Sequence, residues 1–190
     1  KPWFLLRRCW PGTPSVLPKP PACRGCPWYG DGQGFVPDEY VEGATVLILG
    51  QNPGEHEERG RKVTGYEGLR LVTEDHPPAP YLGRTGYDME RTYFPLAGVE
   101  RGAVSIANVL RCRWKHENAV PSVAQCRDVI AYCQAAHFTP PLSTRVVVTE
   151  GEYALYAATG EYGKNAGVAA WRGWVLPWNP PPKPPLVHAG

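Results

Sequence analysis

A single doubly wound α/β domain is the fold class the sequence predicts, and three apolar runs separated by helical stretches predict it. Residues 44–50 (ATVLILG), 103–110 (AVSIANVL) and 144–150 (TRVVVTE) are continuously apolar rather than alternating, as expected of strands covered on both faces of a parallel sheet. Strands that alternate with helices form one layered sheet with helices on both sides. In such a sheet ligands sit outside the carboxyl ends of the strands. The residues that follow each run are therefore the first place to look for chemistry.

The helices are expected between these runs. One spans Thr85 to about Leu96 and is broken by Gly98. A second spans 122–138, opened by Ser122 after Pro121 and stopped by Pro140 and Pro141. A third covers 152–158 and ends at Gly160. Trp174–Trp178 and Leu186–His188 are expected as two further short strands, joined by the Pro-rich segment Asn179 to Pro185. Residues 1–22 have neither helical nor strand period and read as an extended Pro-rich arm on a domain spanning 23–190. Residues 55–79 are polar, broken by Gly and Pro and without sustained period, so a long loop or subdomain is expected there, of a length that points to function.

A chain of 190 residues holds one substantial core. Its composition, 43% hydrophobic and 20% charged, is that of a soluble globular protein, while 22 Pro and 21 Gly leave much of the chain to loops. With a net charge of +2, nucleic-acid contact must come from local clusters rather than a global field. No apolar run is long enough to span a membrane, and the basic start Lys1-Pro2-Trp3 lacks the apolar stretch of a signal peptide. A cytoplasmic or nucleoid-associated protein without a membrane partner is expected. The start at Lys1 without Met and the stop at Gly190, directly after His188, point to a piece of a longer chain.

Six cysteines are too dilute for a disulfide scaffold and favour metal or cluster ligation in a reducing compartment. Cys23 and Cys26 form a C-x2-C hook, and Cys112 and Cys126 form a C-x13-C pair. Four thiolates from two distant segments can close one cage, of zinc or of a 4Fe-4S cluster. The spacing alone leans to zinc, although zinc ribbons usually repeat the short hook on both sides. Cys133 lies seven residues after Cys126 on the same helical face and reads as core, and Cys9 reads as structural.

Several motifs occur in one order: the hook, GQNPGEHEERG at 50–60, PYLGRTG at 80–86, ANVLRCRW at 107–114, and the later Cys126 and His188. In this the chain resembles the iron-sulfur uracil-DNA glycosylases of family 4, from about Cys23 to His188. The resemblance implies a four-stranded, mostly parallel sheet flanked by helices, a structural 4Fe-4S cluster on Cys23, Cys26, Cys112 and Cys126, and a uracil pocket at the strand ends. It implies hydrolysis of the N-glycosidic bond of deoxyuridine in DNA after the nucleotide is flipped out. Asn52 would hold the attacking water, Gln51 would line the pocket, Tyr81 would stack on uracil, Asn108 would read its edge and His188 would stabilise charge on the leaving base. Glu57 and Glu58 would support the turn. Arg84, Arg111, Arg113 and Lys115 cluster near the expected site in the sequence and read either as phosphate contacts or as an ordinary soluble surface.

The chain also departs from that pattern. The family has an acidic residue at the second position of the turn, where Gln51 stands here, and GQNPG is closer to the mismatch-specific and single-strand-selective types. An amide orients water but is no general base near neutral pH. Residues 60–79 are an inserted loop relative to the family, and His188-Ala189-Gly190 replaces its late H-P-S motif. An active DNA glycosylase is therefore expected, with a catalytically inactive glycosylase-like module of a larger replication protein, such as a phage-type DNA polymerase, as the alternative.

Overall fold

The computed structural model describes residues 16–114, 121–162 and 168–178. In chain order the elements that build the domain are strand β1 (Val46–Gly50), the one-turn helix α1 (Glu55–Glu58), strands β2 (Arg61–Glu67) and β3 (Arg70–Asp75), and helix α2, followed by β4 (Ser105–Asn108), α3 (Val123–His137), β5 (Val146–Thr149), α4 (Glu152–Thr159) and the short α5 (Val168–Trp171). Helix α2 is composite: Arg84–Asp88 and Phe94–Ala97 are α-helical and Met89–Tyr93 between them is a π-turn. Pro95 supplies a reason, since it has no N–H for the carbonyl one turn before it.

Strands β4, β1 and β5 form a parallel three-stranded sheet with β1 in the centre. The pleat sends alternate residues to opposite faces. Leu47, Leu49 and Ala107 meet α3 and α4 in one apolar cluster, while Ile48 and Ile106 meet Met89 and Phe94 of α2 in the other. The three continuous apolar runs are thus the three strands, each shorter than its run, and the mixed α/β layering is as expected. Past the strand ends the pairing continues, because Val109 and Leu110 donate to the carbonyls of Gly50 and Gln51 at 2.9 Å each. This keeps the two chain segments that leave β1 and β4 in register.

The sheet has three strands among the described residues where four were expected. Trp174–Trp178 is not a strand, and Leu186–His188 lies outside the described residues, as does the arm before residue 16. On β5, Val146 and Val148 point to the α2 side and are exposed. The helix ends agree with their punctuation: Gly98 and Gly160 adopt left-handed conformations at the ends of α2 and α4, and Ser122 starts α3.

The largest correction concerns residues 60–79, expected as a loop. They form an antiparallel hairpin, β2 with β3, turning at Gly68 and Leu69. A register shift between Val63 and Gly65 breaks the alternation, which is why no strand period shows in the sequence. The hairpin is docked rather than dangling. Val63 is fully buried and donates to the Leu82 carbonyl at 2.8 Å, and Lys62 pairs with Glu90 of α2 at 3.0 Å.

At the hairpin's base Gly60 has φ +60°, and a Cβ there would stand 1.9 Å from the His76 carbonyl oxygen. Gly60→Ala is expected to cost about 2 kcal/mol of stability, from strain plus overlap, read as a lower urea midpoint. An unchanged midpoint would mean that the hairpin base is not built this way.

Candidate functional site

At the carboxyl edge of the sheet the chain leaves β1 into Gly50-Gln51-Asn52-Pro53-Gly54, beside the ends of β4 and β5. A Cβ on Gly50 would lie 2.5 Å from Oδ1 of Asn108 and 2.5 Å from the Tyr81 hydroxyl. Gly50 is therefore needed for close approach, and the two side chains converge above it. Asn108 is 4% exposed, and its Nδ2 has no hydrogen-bond partner. A buried amide donor without a partner costs about 1–3 kcal/mol, and such a group is satisfied when a ligand with an acceptor occupies the site.

Tyr81 is held in an unusual conformation. Its φ is +59°, strained for a bulky residue, and such strain persists only where neighbours over-determine it. Three neighbours do so. The Glu57 carboxylate accepts from the Tyr81 N–H and also from Gly54 N–H of the turn. Arg101 donates to the carbonyls of Pro80 at 2.6 Å and Tyr81 at 3.3 Å while pairing with Glu39 and, at 3.1 Å, with Glu90. Gly86 leaves room for the Tyr81 carbonyl, where a Cβ would stand at 1.6 Å. PYLGRTG is thus a sequence in which Tyr81 and Gly86 require each other.

The amides of the turn are partly committed. Gln51 Oε1 accepts from the Tyr153 N–H at 3.2 Å, in the first turn of α4, and Gly151 (φ +93°) makes the room for it. Asn52 is half-buried and donates from Nδ2 to the Pro53 carbonyl at 3.0 Å. Burial, and after it the nearby Glu150 at the end of β5, push the Tyr81 phenol well above its ordinary range. Glu150 went unnoticed in the sequence. The signal was there: an acidic residue directly ending an apolar strand run, at the edge where ligands bind.

A second site lies behind the first. One cavity is lined by Cys23, Cys26, Cys112 and Cys133, with Lys19 and His137 at its wall. Lys19 ties the approach to the hook by donating to the carbonyls of Tyr29 (2.5 Å) and Gly32 (2.8 Å). Tyr132 of α3 donates to the Ala22 carbonyl at 2.8 Å, fixing the hook against the C-terminal half of that helix. Gly32 passes so close to Cys112 that a Cβ there would be 2.4 Å from the sulfur. His137 Nε2 is 3.2 Å from Cys23 Sγ. Burial, reinforced by the neighbouring thiols, pushes Cys23 up to about 11 and Cys112 up to about 12, so as bare thiols they are not reactive nucleophiles near neutral pH.

Of the four cysteines expected as ligands, the structure brings together Cys23, Cys26 and Cys112. Cys126 is fully buried elsewhere, with its sulfur 3.4 Å from the Tyr153 hydroxyl. Cys133, expected as core, lines the cavity. As placed, no three His, Cys, Asp or Glu side chains among the described residues form a group that would hold a metal ion.

The basic residues expected at phosphates divide differently. Arg111 is 2% exposed; it donates to the carbonyls of Asn108 and Val109 and pairs with Asp38 at 2.6 Å, so it faces the interior and not a DNA backbone. Arg113 is engaged by Glu58 at 2.7 Å and Gln33 at 3.0 Å. Arg84 stays exposed near the pocket rim. Lys115 and His188 lie outside the described residues.

Burial pushes Glu57 up to about 7 from its ordinary 4.5, against the two N–H groups and Arg101 that pull it down. The folded protein thus holds a proton that the unfolded chain has lost between these values, so stability is fully present below pH 4.5 and fades as pH rises through about 7. The urea midpoint is expected to fall from about pH 5 to about pH 8, with a slope that Glu57→Gln reduces. An equal slope in the variant would remove Glu57 as the cause.

The chain matches no protein-family model, and a search of curated proteins gives no match either. Its function is therefore read from its motifs and from the geometry of these two sites.

Proposed function

We propose that this chain is a uracil-DNA glycosylase-type domain that hydrolyses the N-glycosidic bond of deoxyuridine in DNA, with a structural 4Fe-4S cluster behind its pocket. The observation that supports it most is the convergence of Asn108 and Tyr81 over Gly50 at the sheet edge, with a buried, unpartnered Asn108 Nδ2. An amide presents one donor and one acceptor in a plane, which matches the O4 and N3–H edge of uracil.

The reaction places positive charge on the sugar and negative charge on the departing base, so the site needs a held water and donors aimed at uracil's oxygens. Asn108 is the donor within the described residues, and His188 is the expected second one. The turn amides, Asn52 above all, would orient the water. The turn itself holds no carboxylate, and Glu150 at the end of β5 stands on the side of the Tyr81 hydroxyl.

The donor set at the second cavity fits a 4Fe-4S cluster. Each thiolate of such a cluster binds its own iron, so its ligands stand farther apart than the four around one zinc ion. Cys23, Cys26, Cys112 and Cys133 line one cavity, and four cysteine sulfurs are the donor set such a cluster takes. The cluster would brace the hook, Cys112 and α3 together, and no chemical step passes through it.

One observation favours the alternative, a non-catalytic DNA-binding module. The Tyr81 hydroxyl and Asn108 Oδ1 stand so close to Gly50 that not even a Cβ fits between them and the backbone. Single-turnover release of uracil from single- and double-stranded oligonucleotides separates the readings. In an active enzyme Asn108→Ala and Asn52→Ala are each expected to slow release at least tenfold, about 1.4 kcal/mol of transition-state stabilisation. Tight binding of uracil-containing DNA with no release by the intact protein would establish the module instead.

A further inference from the structure

We propose that Cys133 of α3, and not Cys126, supplies the fourth thiolate of the cluster, with His137 standing behind Cys23 as its neighbour. The inference rests on the cluster reading above and names the ligand that the C-x13-C spacing does not.

Position along α3 decides it. Cys126 and Cys133 share a helical face but lie seven residues apart, about 10 Å along the axis. The hook meets only one end of that span. Tyr132 bonds Ala22, the Gly25 backbone packs on the Tyr132 ring, and His137 touches Cys23, so Cys23 and Cys26 are docked at the C-terminal half of the helix. Cys112 reaches the same place from the end of β4, beside Gly32. Cys133 lines the cavity these three share.

Cys126 does not line that cavity. It is fully buried, and its sulfur meets the Tyr153 hydroxyl, which itself donates to the Pro121 carbonyl. A thiolate placed there would be about two helical turns from the hook. The chemistry of the Cys133 site is different. Arg111, paired with Asp38, and His137, whose Nε2 is 3.2 Å from Cys23 Sγ, both line the cavity that Cys133 shares. Ligation requires the deprotonated thiol, so the cavity supplies cations and donors where thiolates would form.

The test is reconstitution of the full chain with iron and sulfide under anaerobic conditions, followed by iron content and absorbance near 400 nm, a band that cysteine-ligated clusters show and zinc does not. Wild type and Cys126→Ala are expected to hold about four iron atoms per chain, and Cys133→Ala to lose the band and most of the iron while keeping its helical circular dichroism. Should Cys133→Ala fail to fold, native alkylation of the wild type with iodoacetamide, before and after chelator stripping, gives the same decision by mass spectrometry. Cys133 then becomes labelled on stripping and Cys126 does not change. Loss of the cluster in Cys126→Ala with retention in Cys133→Ala, or the reverse labelling pattern, overturns the assignment. A wild type that takes up no iron would instead remove the cluster reading itself.

Discussion

The arrangement at the sheet edge depends on the left-handed backbone at Tyr81. A tyrosine at φ +59° is unfavourable by about 1–3 kcal/mol, and it is kept there from both sides of its own peptide: Glu57 takes the N–H, Arg101 takes the C=O, and Gly86 vacates the volume the carbonyl needs. Each clamp belongs to a different element. Glu57 comes from α1 and also holds Gly54, so the turn after β1 and the segment before α2 are bound to one carboxylate. Arg101 brings in Glu39 and Glu90 from two further parts of the chain. Release of any one of them would loosen the ring over Gly50, and strain of this kind is retained where function requires a fixed geometry.

The sheet was legible in the sequence because burial on both faces makes a strand continuously apolar, and its helices were legible because Ser122, Gly98 and Gly160 mark their ends. The hairpin was not, since the irregularity at Val63 and Gly65 removes the period that would announce it. Of the pocket, Asn108 and Tyr81 were readable from their motifs. The groups that hold them were not. Glu57 and Arg101 act on backbone atoms more than twenty residues away in the chain, and in a sequence they look like solvated charges. Arg111 misled in the opposite direction: an arginine beside a candidate site reads as a phosphate contact, yet this one is buried with Asp38.

The cysteines show a related limit. Helical periodicity places Cys126 and Cys133 on one face, and nothing in that period says which meets the hook. The answer comes from the contact between Tyr132 and Ala22, 110 residues apart in the chain. Spacing identifies a helix face, whereas docking selects the level along it.

Arg111 joins the two halves of the molecule. Its guanidinium holds the carbonyls of Asn108 and Val109, at the floor of the pocket, while its charge and its peptide N–H face Cys133 in the cavity behind. Asp38 balances it through a close ion pair. One buried side chain thus fixes the strand end that carries Asn108 and also lines the cavity where the cysteines meet, so a substitution at Arg111 would disturb both places at once.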